Sequence, residues 1–203
     1  MKVPVYRAGE APSRAYSIER KTKETQIAVN LCLDGGEVRV STGIGFFDHM
    51  LTALAFYAGF GLELEAAGDL EVDGHHTVED TGIVLGQALN RALGDRKGLR
   101  RFASACIPMD EALCFTVLDF SNRPFLVFDA DMPQPMIGTY DPCLTEEFLR
   151  ALAVNSGLTL HMKCLYGKNA HHITEALFKS LGAAVKEAVQ ITGTGVTSTK
   201  GVL

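Results

Sequence analysis

Alternating apolar and polar positions predict the first strands of the chain. From Ala15 to Leu33 the sequence AYSIERKTKETQIAVNLCL follows the two-residue period of a strand, and Gly35-Gly36 then leads into EVRVST. A diglycine between two strand-like stretches is typical of a tight turn, so this region predicts a β-hairpin through Gly35 and Gly36. The roughly fifteen residues before it carry two prolines and a glycine without periodicity, and they predict a flexible arm.

Apolar residues at helical spacing predict two helices in the first half. The first covers Phe46–Ala58, FFDHMLTALAFYA, and ends before Gly59, and the second covers about Thr77–Leu93. Short alternating stretches predict further strands, namely GLELEAAG, DLEVD, 111–120 and 124–131. Strands and helices therefore alternate along the chain, which is typical of a mixed architecture.

The second half of the chain repeats the order of the first. Leu51–Leu62, LTALAFYAGFGL, aligns with Leu149–Leu160, LRALAVNSGLTL, at an offset of 98 residues, and a His-His pair recurs at an offset of 96. Two similarities in the same order, each followed by a helical pattern, indicate an internal duplication. We therefore expect an α+β fold with a pseudo-twofold axis, formed by one domain over 1–203 with repeats at about 16–98 and 99–203.

Composition narrows the class of protein. The chain has 203 residues, 47% of them hydrophobic, which suffices for a globular core. Its net charge is -5 and it has no run of Lys or Arg, so we expect no nucleic-acid partner. The five cysteines are scattered without a C-x-x-C arrangement, which argues against a disulfide framework and a thiolate zinc site. No apolar run approaches a membrane span and no secretory signal is present, so we expect a cytoplasmic protein with no membrane partner.

Two adjacent histidines occur twice in a chain that has only six. In DGHHTVEDTG, a helix would bring His75 and Glu79 to one face, four residues apart, and turn His76 about 100° away. The segment NAHHITEAL repeats the pattern with His171, His172 and Glu175. Imidazole and carboxylate groups on a rigid helix are typical metal ligands, and one helix turn with two divergent histidines can serve two metals.

The duplication predicts a counterpart for every ligand. His49 in FFDHM corresponds to Glu147 in LTEEF, and both side chains can bind a metal. Each repeat then supplies a set of candidate ligands sufficient for one of two sites, with positions open to a substrate. His161 corresponds to Glu63 and lies in the alternating stretch LTLHMKCL, so we interpret it as structural. Imidazole-rich sites suit Zn, Fe, Ni or Cu, whereas carboxylates favour Mn, so ligand type leaves the metal open.

A series of motifs runs along the chain from about Tyr16: TKET, STGIGFFDHM, DGHHTVEDTG, ALGDRKG, PMDEAL, SNRP, GKNAHHITEALFK and STKGVL. Together they resemble the motifs of the imidazoleglycerol-phosphate dehydratase family of histidine biosynthesis. The resemblance implies duplicated halves of the ribosomal protein S5 domain 2-like type, and a homo-oligomeric shell of 24 subunits with sites between subunits. It also implies two Mn2+ ions per active site and dehydration of a small phosphate substrate, D-erythro-imidazole glycerol phosphate, to imidazole acetol phosphate.

Carried over by motif, the resemblance implies two sets of metal ligands. One metal takes His49, His76, His171 and Glu175. The other takes His75, Glu79 and His172, with Glu147 at the position of its fourth ligand. Many family members have histidine at this position, so the chain departs from the family pattern at Glu147.

The chemistry of the implied reaction explains why it needs such a site. The proton to be lost lies on a carbon with no carbonyl beside it, so a base alone would generate an unstabilised carbanion. A metal that binds the substrate imidazole favours its imidazolate form, which can expel the hydroxyl of the adjacent carbon and make the next proton acidic. The resemblance implies that Glu24, in TKET, moves this proton, with catalytic roles for the ligands His75, Glu79, His171 and Glu175.

The phosphate of the substrate needs cations and hydroxyl donors. The resemblance implies substrate contacts from Glu24, Arg101, Arg123, Lys179, Ser198, Thr199 and Lys200. Without the resemblance, Glu24 reads as a solvated strand residue, and Arg101 and Lys200 read as ordinary surface charges. The stretch Gly193-Thr194-Gly195 precedes the carboxyl-terminal segment STKGVL, which we call the tail. It predicts that the tail folds over bound substrate as a lid.

Two other functions use the same kinds of ligand. A metal-dependent hydrolase would activate water and release inorganic phosphate, whereas a metal-storage shell would have no turnover. The phosphate-directed residues and TKET disfavour storage, which needs neither. We therefore expect a carbon–oxygen lyase with a single activity, since no segment is left over for a fused phosphatase domain.

Overall fold

Two four-stranded sheets with the same strand order form the framework of the protein. The structure, a computed structural model, describes residues 14–202, so nearly all of the predicted amino-terminal arm lies outside the described residues. The first sheet has the order β1-β2-β4-β3 and contains β1 (Ala15–Lys21), β2 (Thr25–Cys32), β3 (Val38–Ser41) and β4 (Gly61–Gly68). The second has the order β5-β6-β8-β7 and contains β5 (Phe102–Met109), β6 (Ala112–Asp119), β7 (Phe125–Asp129) and β8 (Thr159–Tyr166).

The pairing of the strands confirms that the two halves are similar. In each sheet a long antiparallel hairpin continues into a third antiparallel strand, and a short parallel strand completes the other edge. Ala15 pairs with Cys32 in the first hairpin and Phe102 pairs with Asp119 in the second, so equivalent hairpin positions lie 87 residues apart. The predicted α+β fold with an internal duplication is therefore confirmed.

Four helices fill the space between the sheets. They are α1 (Gly45–Ala58), α2 (His75–Leu93), α3 (Leu144–Ser156) and α4 (Ala170–Ala188). In the first half, α1 and α2 pack on the first sheet, and in the second half α3 and α4 pack on the second sheet. The helix layers meet with α1 against α4 and with α2 against α3, so each of these contacts joins one half to the other. No helix within 14–202 is both long enough and apolar enough to cross a membrane.

Two glycines allow the helix layers to approach closely. A Cβ atom on Gly86 of α2 would lie 2.8 Å from the carbonyl oxygen of Leu152 in α3. A Cβ atom on Gly182 of α4 would lie 2.7 Å from the carbonyl oxygen of Leu54 in α1. Both distances are too short for a side chain, and the glycines occupy equivalent positions 96 residues apart. Because the helices are in such close contact, α1 delivers its side chains directly to the start of α4.

Aromatic side chains connect the core across the two halves. Phe47 of α1 meets Phe148 of α3 edge to face at 5.3 Å, and Phe148 stacks on Phe178 of α4 at 5.5 Å between ring centroids. All three are fully buried. The predicted helix over Phe46–Ala58 is confirmed, and its end at Gly59 follows from the left-handed conformation of this glycine, at a φ of 71°.

The predicted hairpin through Gly35 and Gly36 is wrong. The alternation over 15–33 is itself a hairpin, β1 and β2, while β3 runs parallel to β4 and does not pair with β2. The reason is that β4 pairs with β2 over eight residues and so occupies the edge of β2 that a four-residue β3 would need. The diglycine instead crosses close to Gly61 at the start of β4.

Three smaller predictions also differ from the structure. The stretch DLEVD is a turn and not a strand, because the N–H of Val72 donates to the carbonyl of Asp69 and the Val72 side chain is exposed. The second helix begins at His75 and not near Thr77, so both histidines lie in its first turn. Strand β5 was not predicted; it carries Pro108, which an edge strand tolerates because one side of its backbone needs no partner.

Candidate active site

Three predicted metal ligands come together where α1 meets the start of α4. The Nε2 atom of His49 lies 3.5 Å from Oε2 of Glu175, and the Nε2 atom of His171 lies 3.2 Å from the same oxygen. The ligand atoms of these three residues all lie within 4.8 Å of one another. Within 14–202 this is the only such group of three or more His, Cys, Asp or Glu side chains. Ligands of one divalent ion lie about 2 Å from it and so no more than about 4 Å apart, which the two measured distances satisfy.

Local structure explains how these three side chains are held. The side chain of Asn169 accepts a hydrogen bond from the N–H of His171 at 2.9 Å and caps the amino terminus of α4. His171 and Glu175 are then one helix turn apart on the same face. The ring of Phe46 packs edge-on against His171 at 4.9 Å between centroids and covers one side of the group.

Glu175 is the most buried of the three, with 6% of its surface exposed. Burial by itself would raise the pKa of this carboxyl, but the hydrogen bond and charge of Lys179, with His49 and His171, outweigh burial and lower the pKa. The Nζ atom of Lys179 lies 2.6 Å from Oε1 of Glu175, while Oε2 faces the two imidazoles. The carboxylate is therefore ionised, with one oxygen in contact with Lys179 and the other with the two histidines.

The equivalent group at the start of α2 is more open. The Nε2 atom of His75 lies 3.7 Å from Oε2 of Glu79, and a carboxylate oxygen of Asp73 accepts from the N–H of His75, just as Asn169 does in the other half. The predicted spacing of four residues on one helix face is thus observed. Glu147 lies in the first turn of α3 and forms an ion pair with Arg150 at 4.0 Å. It does not join His75 and Glu79 in a three-ligand group.

The second histidine of each pair contacts a carboxylate that we did not single out from the sequence. Nδ1 of His76 lies 3.1 and 3.2 Å from the two carboxylate oxygens of Asp69, and Nδ1 of His172 lies 2.6 Å from Oε2 of Glu111. The hydrogen bonds that these carboxylates accept raise the pKa of both histidines. The only sequence signal for Glu111 is its place in the motif PMDEAL; we expected it at the start of the strand 111–120, whereas it lies in the turn between β5 and β6.

Glu24 lies at the turn between β1 and β2 and points into this region. Within 14–202 its carboxylate has no hydrogen bond and no ion pair, and it is exposed. Its charge contributes to the raised pKa of His76, after the larger effect of the hydrogen bond that Asp69 accepts from that ring. Asp80 of α2 anchors this turn. Its carboxylate accepts a hydrogen bond from the hydroxyl of Thr25 at 2.5 Å, and Arg20 forms an ion pair with the same oxygen.

The predicted phosphate-binding residues form a separate pocket near the carboxyl terminus. Its lining includes Arg101, Arg123, Ser198, Thr199 and Lys200, but not Lys179, which lies beside Glu175. Arg101 makes a two-point contact with Asp119, at 2.7 and 3.0 Å, and donates to the carbonyl of Thr197 at 2.5 Å. Arg101 therefore holds the tail in position, and Asp119 is a partner that the sequence did not reveal.

This pocket lies at the far end of α4 from the histidines. The N–H of Arg101 donates to the carbonyl of Ala188, the last residue of α4, whereas His171 is in its first turn. The rise of the helix between them is about 25 Å, at 1.5 Å per residue. A small phosphate ester is much shorter than that distance.

The duplicated fold and its imidazole–carboxylate group fit one class of protein, a metal-dependent enzyme. The sequence model of the family described as imidazoleglycerol-phosphate dehydratase matches residues 42–185. The chain therefore belongs to the imidazoleglycerol-phosphate dehydratase family, and it is a hydro-lyase of histidine biosynthesis.

Similar proteins support this assignment over nearly the whole chain. The imidazoleglycerol-phosphate dehydratase of Acetivibrio thermocellus is 52% identical over 193 residues, which cover 94% of this chain and 99% of that protein. The enzyme of the same name from Exiguobacterium sp. is 53% identical over 190 residues, covering 93% of this chain and 97% of its own.

Two solved structures of the family have the same fold. The crystal structure from Staphylococcus aureus matches with a TM-score of 0.81 at 39% identity and covers 88% of this chain and 99% of its own. The structure from Pyrococcus furiosus matches with a TM-score of 0.81 at 41% identity and covers 92% of this chain and 100% of its own.

Proposed function

We propose that the chain removes water from D-erythro-imidazole glycerol phosphate and forms imidazole acetol phosphate through a two-metal site. The observation that carries this proposal is the group of His49, His171 and Glu175, whose ligand atoms lie within 4.8 Å of one another, in a chain of the dehydratase family. The partial counterpart at His75 and Glu79 supports a second metal. We propose Mn2+ at both sites, as the resemblance to the family implies, and the carboxylate at each site is compatible with this ion.

Each metal takes ligands from more than one chain in this proposal. One metal is held by His49, His171 and Glu175 with His76. The other is held by His75, Glu79, His172 and Glu147. His76 and His172 contact Asp69 and Glu111 and lie outside the three-residue group of their own chain, which supports completion of each site by another copy.

The pocket near the carboxyl terminus, which we call the tail pocket, lies far from the histidines at the start of α4, and this distance supports the same conclusion. Because about 25 Å of helix separates them in one chain, the phosphate of a substrate at the metals must meet the tail of another chain. We therefore propose sites between subunits in a 24-subunit shell. We also propose that residues 1–203 form one cytoplasmic domain with repeats at 16–98 and 99–203.

The metals would supply Lewis acidity toward the substrate imidazole. The side chains of the protein do the rest. Glu24 moves the proton of the carbon chain, since its carboxylate is exposed and free of hydrogen bonds within 14–202. Lys179 contacts Oε1 of Glu175 and keeps this carboxylate ionised. His75, Glu79 and His171 orient the imidazole end of the substrate.

The phosphate end is bound by the pocket at the tail. The side chain of Arg123 is exposed and offers a planar fork of donors that suits a phosphate. Ser198, Thr199 and Lys200 add hydroxyls and a cation on the tail that Arg101 holds. The tail closes over bound substrate as a lid about the glycines of 193–195.

One experiment tests this function against its alternatives. Metal-stripped protein is reconstituted with Mn2+ or Zn2+, and the ketone product, inorganic phosphate and native mass are measured. We expect ketone formation without release of phosphate, in a 24-subunit assembly. Phosphate release would indicate a hydrolase, and metal binding without turnover of imidazole glycerol phosphate under any metal would refute the lyase.

A further inference from the structure

We propose that Glu111 is a positioning residue for His172: it holds the proton of the imidazole on Nδ1 and so keeps a lone pair on Nε2 for a metal, although Nε2 lies 3.7 Å from a carboxylate oxygen of Asp110. This inference rests on the proposed metal site. It assigns a role to a side chain that is neither a predicted ligand nor a predicted substrate contact.

The contacts of Glu111 hold its carboxylate in one orientation. Oε2 lies 2.6 Å from Nδ1 of His172, within hydrogen-bonding distance. Oε1 accepts from the N–H groups of Lys168 at 3.1 Å and Asn169 at 2.8 Å, just before α4 begins. Both oxygens are therefore occupied, and the carboxylate is aligned with the edge of the imidazole ring.

These contacts select one tautomer of His172. A neutral imidazole has one N–H, and an ionised carboxylate accepts hydrogen bonds but cannot donate them. Oε1 accepts from two backbone N–H groups, and these hydrogen bonds favour the ionised carboxylate of Glu111. In the neutral ring that binds a metal, the proton of His172 is therefore on Nδ1. The lone pair is on Nε2, and a metal-binding histidine needs this arrangement.

The first half of the chain reaches the same arrangement from a different position. Nδ1 of His76 meets Asp69, which lies in the turn between β4 and α2. Glu111 lies in the turn between β5 and β6, where the equivalent residue of the first half is Glu24. The two carboxylates are thus not copies of one another, and duplication alone does not explain why each meets the second histidine of a pair. The explanation is that both histidines need a carboxylate at Nδ1.

A substitution of Glu111 by Gln separates positioning from support of the fold. The Gln carbonyl still accepts from the N–H groups of Lys168 and Asn169, but its NH2 group now faces Nδ1 of His172. Because the NH2 group donates, the ring must present a lone pair at Nδ1 and carry its proton on Nε2. For Glu111→Gln we expect Mn2+ affinity at one of the two sites to fall 10- to 100-fold, with an unchanged thermal midpoint of the metal-free protein.

Calorimetric titration with Mn2+ measures both sites in wild type, Glu111→Gln, His172→Ala and the double variant. In the His172→Ala background, Glu111→Gln should have no further effect on affinity, because it acts through that ring. Glu37→Gln is the matched control, since Glu37 is an exposed carboxylate paired with Arg39 in the first sheet, and it should bind both ions as wild type does.

Each outcome bears on a distinct statement. Unchanged Mn2+ affinity in Glu111→Gln would overturn the positioning role while leaving the proposed function intact. Additive losses in the double variant, or a lowered thermal midpoint that accounts for the weaker binding, would reduce Glu111 to a support of the α4 start and overturn the inference too. Wild-type protein that binds no Mn2+ would overturn the proposed two-metal function, and with it the inference.

Discussion

The two β-hairpin turns of the protein carry a glutamate at equivalent positions, Glu24 in the first half and Glu111 in the second. Within 14–202 the carboxylate of Glu24 makes no hydrogen bond, whereas that of Glu111 makes three. The backbone pairing of the two hairpins is the same. The neighbouring side chains therefore determine whether the glutamate is free to react or is engaged as a support.

Two residues of the first half account for this difference. Asp69 contacts His76, so Glu24 is not needed to hold that ring. Asp80 anchors the turn through Thr25, so Glu24 is not needed to hold the turn either. In the second half the position of Asp80 is Ala176, whose side chain can make neither contact. Duplication thus allowed one copy of the turn to present a free carboxylate while the other copy positions a histidine.

The largest expected effect comes from the free carboxylate. Glu24→Gln keeps the size of the side chain but removes its ability to take a proton, so we expect kcat to fall by about 10²- to 10⁴-fold. Affinity for Mn2+ should remain that of wild type, in contrast to Glu111→Gln. Steady-state kinetics and calorimetric titration with Mn2+ measure the two quantities. If kcat is retained, Glu24 does not move the proton and the contrast between the turns has no catalytic meaning.

A smaller effect is expected at the anchor of the first turn. Asp80→Ala leaves the partly buried Arg20 guanidinium and the Thr25 hydroxyl without their carboxylate. We expect the free energy of unfolding of the metal-free protein to fall by about 2 to 3 kcal/mol, measured by denaturant titration. Replacing Arg20 by Met in the same chain should recover part of the loss, because no unpaired charge then remains.

The matched control for Asp80 is Asp95→Ala. Asp95 pairs with Lys97 on the surface, and both side chains are 65% exposed, so its removal should leave the free energy of unfolding nearly unchanged. Equal changes in Asp80→Ala and Asp95→Ala would mean that the first turn needs no anchor.

The smallest effect concerns a contact that joins the two halves. Arg14 holds Asp34 by side-chain hydrogen bonds and donates to the carbonyl of Val189 just beyond α4. The hydrogen bond from Arg14 lowers the pKa of Asp34 below its usual range. A lowered folded-state pKa contributes stability above the unfolded pKa, and this stability is lost as the pH falls through the folded pKa.

We therefore compare wild type with Asp34→Asn by denaturant titration from pH 6 to pH 3. The difference in free energy of unfolding should be below about 1 kcal/mol near pH 6, because the pair is partly exposed, and should shrink below about pH 4. A difference that grows on acidification would contradict this sign.

The histidine pairs show how far local pattern carries a prediction. His75 and Glu79 were expected on one helix face and lie 3.7 Å apart, because the spacing of residues within a helix is set by its backbone geometry alone. The predicted strand DLEVD is wrong. Its alternation resembles a strand, but the N–H of Val72 donates to the carbonyl of Asp69 in a turn, and the side chain of Asp69 contacts His76.

What the sequence by itself determined is local or repeated. The periodicity of α1 predicted its extent, the duplication predicted a second half, and the spacing of the histidine pairs predicted metal-type donors. Only the tertiary structure decided which helices meet, so that His49 of one half joins His171 and Glu175 of the other. It also decided that Asp69 and Glu111 contact the second histidines, and that the tail pocket lies far from them. The physical reason is that helix geometry depends on neighbours within a few residues, whereas these contacts depend on the packing of helices and sheets distant in the chain.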